Sequence, residues 1–293
     1  MLRPGARIAV VAPAGLPRWG RLRQGLGMLA EWGYTPVPGP NLEARHPHGY
    51  LAGTAEARTA DLTWALTAPE IDAVWIARGG YGCVHCLPFL PWPRIAPRPV
   101  IGFSDVTSLL LALSQNTRAV GIHAPTLDNL AEGTDAASRE ALRELLANGG
   151  ETGFEGRAAV EPGIAVEGPV LGGNLCVLAS LAGTPWALQA EGALLVLEDV
   201  GEPAYRLDRM VTQLLASGDL DGVRAILLGE FLDCPVPEGL GYTLEELLIA
   251  LFAPLGVPVV TGLPVGHGQA NRPWYYSGWG RLAGGVLRIS PPL

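Results

Sequence analysis

Hydrophobic positions along the chain fall into short β-branched runs separated by stretches with helical spacing. Runs at Arg7–Ala12, Thr35–Val37, Ala73–Ala77, Val100–Phe103 and Ala119–Ile122 predict five strands in the first 123 residues. Between the first two, Leu22, Leu26, Leu29 and Ala30 recur at three- and four-residue steps. After the fourth, Val106, Leu109, Leu110 and Leu113 do the same, so each set marks the apolar face of a helix. Strands alternating with amphipathic helices build βαβ units, and the expectation is an α/β fold with helices covering a mostly parallel sheet.

The pattern weakens over Asp128–Gly163, a polar stretch with one helical segment around Leu142, Leu145 and Leu146, closed by Asn148-Gly149-Gly150. We read residues 128–166 as a linker region between an N-terminal lobe, 1–127, and a C-terminal lobe, 167–293. The second lobe opens with a strand at Pro169–Leu171, a turn at Gly172-Gly173-Asn174 and a helix over Leu175–Ala182. A strand at Ala193–Leu197 runs into the loop Glu198-Asp199-Val200-Gly201-Glu202. Leu207, Met210, Val211, Leu214 and Leu215 then share a helical face, followed by a strand at Val223–Leu228. Thr243 with Glu246 forms a capping box for a further helix. A strand at Val257–Thr261, a loop over Gly262–Gly268 and a glycine-rich tail end the chain.

Composition narrows the function classes. Net charge is -8, and all 20 basic residues are arginines spread without a dense run, which argues against a nucleic-acid partner. The longest apolar stretch, Leu247–Leu263, is broken by Pro254, Gly256 and Pro258, so no membrane span is expected. The N-terminus lacks a secretory signal pattern, and four scattered cysteines do not make a disulfide framework; both point to a cytoplasmic protein. Cys83 and Cys86 have the spacing of half a zinc site, but no second pair accompanies them, and the simpler reading is packing of small residues, with no metal and no organic cofactor.

Four segments could carry chemistry. In Gly102-Phe103-Ser104-Asp105 a buried strand ends and a helix starts, which sets Ser104 at the carboxyl edge of the sheet, with the backbone N–H of Asp105 at a helix start where an oxyanion can be held. The turn resembles a nucleophile elbow without its second glycine, and by itself the serine suits a helix cap as well. Arg78-Gly79-Gly80-Tyr81-Gly82 also follows a strand; Gly79 and Gly80 can bring backbone close to a ligand as a turn, an anion nest or a second oxyanion donor. Glu198 ends an apolar strand, where a carboxylate can orient a histidine or pair with Arg206 or Arg209. His267 lies between two glycines on a loop after a strand, and His123 at a strand end is the second candidate base.

Taken together, Arg78-Gly79-Gly80-Tyr81-Gly82, Gly102-Phe103-Ser104-Asp105, Gly172-Gly173-Asn174-Leu175, Leu197-Glu198-Asp199-Val200 and Gly266-His267-Gly268 resemble the LD-carboxypeptidase family, which includes the microcin C self-immunity proteins. Val11-Ala12-Pro13-Ala14 and Leu51-Ala52-Gly53-Thr54 also fit it. The resemblance implies a Rossmann-like N-terminal lobe with the nucleophile Ser104, a C-terminal α/β, β-rich lobe with Glu198 and His267, and a homodimer. It also implies an oxyanion hole from the N–H of Asp105 and one of Gly79 or Gly80. Arg78, Tyr81 and Asn174 are the candidate substrate-binding side chains. Two departures stand out: Gly121-Ile122-His123-Ala124-Pro125, where many members have His-Gly-Pro, and the aromatic run Trp274-Tyr275-Tyr276, which can stack a base or serve the core or a dimer. The implied substrate is a small murein peptide losing a terminal D-alanine. The alternatives are a self-immunity amidase acting on a peptide-nucleotide antibiotic, and a two-lobed binding protein without turnover.

Overall fold

Backbone pairing follows the hydrophobic alternation closely in the first half of the chain and less closely in the second. The computed structural model describes residues 1–160, 163 and 165–292. It divides into two compact units, Met1–Gly149 and Gly150–Leu293.

The first unit runs β1 (Arg7–Val11), α1 (Trp19–Glu31), β2 (Thr35–Pro38), α2 (Ala55–Thr67), β3 (Ala73–Ile76), β4 (Pro99–Gly102), α3 (Thr107–Asn116), β5 (Val120–His123), α4 (Leu127–Leu130) and α5 (Ala136–Asn148). All five strands pair in parallel, in the order β2-β1-β3-β4-β5. The central strands β1 and β3 are apolar along almost their whole length because helices cover a parallel sheet on both faces; Ile8–Val11 and Ala73–Ile76 are fully buried. Strand order reverses between β1 and β3, the place where open α/β sheets bind ligands beyond their carboxyl ends. The loops leaving these two strands meet there, the N–H of Gly15 donating to the carbonyl of Gly79 at 2.9 Å. Helix α2, not anticipated from periodicity, starts where the Thr54 hydroxyl accepts from the N–H of Ala57.

The second unit runs β6 (Thr152–Glu155), β7 (Arg157–Val160), β8 (Val166–Asn174), α6 (Leu175–Ser180), β9 (Leu194–Val200), α7 (Ala204–Ser217), β10 (Ala225–Leu232), α8 (Leu244–Phe252), β11 (Val259–Thr261), β12 (Trp274–Tyr275), β13 (Trp279–Ala283) and β14 (Val286–Ser290). Eight of these strands form one sheet, β6-β14-β13-β8-β9-β10-β11-β7. Its centre, β8 to β11, is parallel; its flanks are antiparallel. The two edge strands, β6 and β7, are separated only by Gly156, so the sheet curls until it is nearly closed and leaves little free edge. A side chain at Gly156 would meet the carbonyl of Thr261 at 2.7 Å, which is why glycine stands there.

Three expectations need correction. Residues 128–166 are not a linker: α4 and α5 belong to the first unit and β6 and β7 to the second, with the division at 149/150. The stretch is polar because α5 buries only one face, through Ser138, Leu142, Leu145 and Leu146, and because β6 and β7 lie at sheet edges. Glu161, Pro162 and Ile164 of this stretch lie outside the described residues. Second, Gly172-Gly173-Asn174 is not a turn: β8 continues through it, with Gly172 and Gly173 at positive φ and paired to Val196 and Leu197. Third, the glycine-rich tail is a hairpin, β13 and β14 joined at Gly284-Gly285, both at positive φ as a tight hairpin turn demands. The capping box is present as expected: Thr243 Oγ1 accepts from the N–H of Glu246, whose carboxylate accepts from the N–H of Thr243. No helix among the described residues is long and apolar enough to cross a membrane.

Candidate active site

Strand β4 delivers Ser104 to the carboxyl edge of the first unit's sheet. Phe103 is still extended, at φ -152° and ψ -171°, and the backbone then turns sharply at Ser104, whose φ is 65°. Among the described residues only Ser104, Asp233 and Ser277 are non-glycine residues with positive φ. A left-handed serine between a strand and a helix is the backbone of a nucleophile elbow, where local strain lifts the side chain clear of the sheet. Ser104–Val106 form one 3-10 turn, and α3 follows with Val106 at its N-cap position, so the helix itself begins three residues beyond the serine.

The Arg78–Gly82 loop closes on this turn. A Cβ at Gly79 would lie 2.9 Å from Ser104 Cβ and 3.1 Å from its Oγ, so the absence of a side chain there makes room for the serine. Asp105 tethers the two segments: its buried carboxylate accepts from the N–H of Cys83 at 2.8 Å. Burial raises the Asp105 pKa, against the lowering effect of the Cys83 hydrogen bonds and of Arg58. Arg58, itself buried, fixes the far side of the loop by donating to the carbonyls of Pro13, Gly53 and Gly82 and by meeting His85 Nδ1 at 3.0 Å. His85 Nε2 in turn meets the Tyr81 hydroxyl at 3.1 Å, and Tyr81 is half exposed. Burial, and then Arg58, lower the His85 pKa, which favours a neutral ring. Arg78 reaches the carbonyl of Leu16 at 2.6 Å. The structure thus gathers Ser104, Asp105, Gly79 and Gly80 into one corner of the first unit, with Arg78 and Tyr81 on the same loop.

In the second unit β9 carries Glu198 to its carboxyl end, where the side chain is fully buried. Its Oε2 lies 2.6 Å from Nδ1 of His267, on the loop after β11. A carboxylate on Nδ1 fixes the ring and its tautomer and leaves Nε2 as the proton-accepting atom, as in a Ser-His-acid triad. Burial alone would lower the His267 pKa. The Glu198 hydrogen bond and charge, with the charges of Asp199 and Glu230, outweigh it and hold the pKa above the ordinary histidine value. Asn174 pairs with Glu198 across β8 and β9 and caps α6, its Oδ1 accepting from Val177 N–H while its Nδ2 donates to Asp199. Asp199 also accepts from the N–H groups of Cys176 and Val200; burial, as the largest effect, and the neighbouring Glu198 push it up to about 6 against those bonds.

The other sequence candidates have structural places. His123 is fully buried on β5 with Phe103 edge-on to it at 5.9 Å between centroids. Trp274 and Tyr276 stack on each other in the interior, and the Tyr276 hydroxyl accepts from Gly172 N–H, which gives the aromatic run a core role. Cys83 and Cys86 are buried thiols whose pKa values burial raises. Arg58 and Glu230 escaped the sequence reading; no local pattern marks an arginine whose partners are distant carbonyls.

Comparison with known proteins places the chain in a family. Residues 8–124 match the model of the LD-carboxypeptidase N-terminal domain and residues 167–282 that of the LD-carboxypeptidase C-terminal domain. A murein tetrapeptide carboxypeptidase from Pseudomonas aeruginosa is 41% identical over 294 residues, covering 96% of this chain and 94% of the relative. The crystal structure of a muramoyltetrapeptide carboxypeptidase from Oxalobacter formigenes superposes with a TM-score of 0.86 at 30% identity, covering 98% of this chain and 99% of that one. The microcin C7 self-immunity protein of Escherichia coli is 26% identical over 291 residues, covering 87% of this chain and 83% of the relative. With both domain models matched in order over most of its length, the chain belongs to the LD-carboxypeptidase family of serine-type carboxypeptidases.

Proposed function

We propose that this enzyme removes the terminal D-alanine from murein tetrapeptides, with Ser104 as nucleophile, His267 as general base and Glu198 orienting the imidazole. The observation that carries the reading is the 2.6 Å hydrogen bond between buried Glu198 and His267 Nδ1, which leaves Nε2 to handle a proton. Ser104 Oγ attacks the carbonyl carbon of the terminal peptide bond as its proton passes to His267 Nε2. The negative charge on the carbonyl oxygen is held by the backbone N–H of Asp105 and one from Gly79 or Gly80. The C–N bond then breaks, the departing amine takes the proton from His267, and an acyl-enzyme remains. Water repeats the sequence on the ester and releases the shortened peptide. The positive φ of Ser104 and the close approach of Gly79 support the serine's part. The Pseudomonas relative supports the substrate class. Arg78, Tyr81 and Asn174 are the side chains assigned to substrate binding.

A peptide set tests this directly. The tetrapeptide ending in D-alanine is expected to be cut and its L-alanine counterpart spared, and Ser104→Ala is expected to lose several powers of ten in kcat/KM with its circular dichroism unchanged. Retention of more than a tenth of the activity by Ser104→Ala would end the nucleophile assignment. Cleavage of an aminoacyl sulfamoyl adenosine with no action on either peptide would move the enzyme to the self-immunity side of the family. A substrate from murein recycling implies work in the cytoplasm, and sedimentation of the purified chain tests the homodimer.

A further inference from the structure

The pairing of β9 with β10 is irregular at one point. Leu197 pairs with Leu228 and Asp199 with Phe231, so two residues of β10, Gly229 and Glu230, stand opposite the single residue Glu198. Such a bulge turns a side chain away from the face that strict alternation would give it. Gly229 has no room for a side chain: a Cβ there would meet the carbonyl of Val265 at 2.3 Å. Glu230 is locked onto the same segment, its N–H donating to the carbonyl of Val265 at 2.7 Å, immediately before Gly266-His267-Gly268.

Both glycines that flank the histidine are explained by Glu230. A Cβ at Gly266, whose φ is 148°, would strike Glu230 Cβ at 2.9 Å and its backbone oxygen at 3.2 Å. A Cβ at Gly268 would fall 1.9 Å from Glu230 Oε2 and 2.5 Å from Oε1. The loop therefore wraps over the glutamate on both sides of His267, with the carboxylate in the space a side chain at 268 would fill. Among the described residues of this unit no arginine pairs with Glu230. Three carboxylates bear on the ring: Glu198 and Asp199 from β9 and Glu230 from β10.

We propose that Glu230 is a positioning residue for the hydrolytic reaction, a bulge carboxylate on which the Gly-His-Gly loop is moulded and whose charge reaches the His267 ring. The proposal rests on the reading of His267 as the general base. Glu198 fixes the ring from Nδ1, and Glu230 fixes the backbone that carries the ring. Two separate supports explain why the histidine can sit on a loop between two glycines, the most permissive residues of the chain, and still hold one orientation.

The test separates packing from charge. Glu230→Gln keeps the shape and removes the charge; Glu230→Ala removes both. In Glu230→Gln the pKa of His267, read by NMR titration of the isotope-labelled imidazole without any turnover, is expected to fall. The acid limb of kcat/KM moves to lower pH with it, because a less basic ring is already neutral there. In Glu230→Ala the loop loses its template, and kcat is expected to drop about 10- to 100-fold with a smaller change in KM, the usual effect of misplacing a catalytic group by about an ångström. An unchanged His267 titration in Glu230→Gln would overturn the charge role, and wild-type kcat in Glu230→Ala would overturn the packing role; either result defeats the proposal. Should Glu230→Ala fail to fold, the Glu230→Gln titration still decides. Failure of the underlying reading looks different: His267→Ala would then stay active whatever Glu230 does.

Discussion

In the first unit the proposed nucleophile sits on strained backbone with a glycine pressed against it, whereas in the second the proposed base sits on relaxed glycine loops and is held by carboxylates. Ser104 has a φ of 65° and Gly79 makes room for it, while the carboxylate of the next residue, Asp105, turns inward to the N–H of Cys83. His267 has Glu198 on Nδ1 and the charges of Asp199 and Glu230 nearby. A hydroxyl needs a fixed direction more than a tuned pKa, because it ionises only during reaction. An imidazole needs both, because it must be neutral to accept a proton and then be stabilised once it has one. The contrast predicts that changes around the serine act on geometry and stability, while changes around the histidine act on pH dependence.

The largest expected effects come from the charged half. His267→Ala is expected to lower kcat/KM by about four or more powers of ten, since among the described residues only His267 is hydrogen-bonded to the Glu198 carboxylate. Steady-state hydrolysis of the tetrapeptide measures it. Glu198→Gln is expected to lower turnover by two to four powers of ten, roughly the penalty of misorienting a triad histidine. It also carries a sign. Glu198 raises the His267 pKa, so its amide lowers that pKa, and the acid limb of the residual kcat/KM profile shifts to lower pH. A limb that stays put, or moves to higher pH, would break the assignment of that limb to His267 and with it the contrast between the two units.

How much of this was legible in sequence depended on whether the information was local. The strands β1, β3, β4 and β5 and the placing of Ser104 at a strand end could be read because a covered parallel sheet writes apolar runs, each stopping where the chain turns. Glu198 was legible for the same reason, at the end of Leu194–Leu197. The positive φ of Ser104 was not, because nothing in Gly102-Phe103-Ser104-Asp105 forces a serine into that region; the surrounding packing does. Glu230 was hidden by its bulge: an extra residue in β10 shifts the alternation by one, and only Gly229 marks the place. Arg58 was hidden because its partners are carbonyls of Pro13, Gly53 and Gly82. The polar stretch misled because half-exposed helices and edge strands have the composition of a linker, and the tail was described by its glycine content alone, without the two strands that Gly284-Gly285 joins.

Gly79→Ala sharpens the geometric half of the contrast with a smaller effect. Gly79 is not among the glycines at positive φ, so alanine meets no backbone penalty, and the whole consequence is a methyl 2.9 Å from Ser104 Cβ and 3.1 Å from Oγ. The serine turn must yield by several tenths of an ångström. Activity is expected to fall about 10- to 100-fold and stability by about 1–3 kcal/mol, as overpacking of a tight contact does. The shape of the pH profile should not change, because no charge near His267 is altered. A shifted acid limb in Gly79→Ala would show that the two supports are not separable.

The smallest effect isolates the strain itself. Alanine at position 104 keeps the Cβ and so keeps the left-handed penalty; glycine removes it. In ordinary helix or strand interiors glycine is less stable than alanine by about 0.5–1 kcal/mol, because it gives up more freedom on folding. At φ 65° a Cβ costs about 1–2 kcal/mol, so the order should invert, with Ser104→Gly the more stable of two inactive variants by up to about 1 kcal/mol. Both lack the hydroxyl, so its lost contacts cancel in the comparison, and what remains is the backbone term. Thermal or denaturant unfolding of the pair, run side by side, reads the difference. If Ser104→Ala proves the more stable, the serine turn is relaxed in solution, and the nucleophile would owe its place to the Gly79 and Asp105 contacts alone.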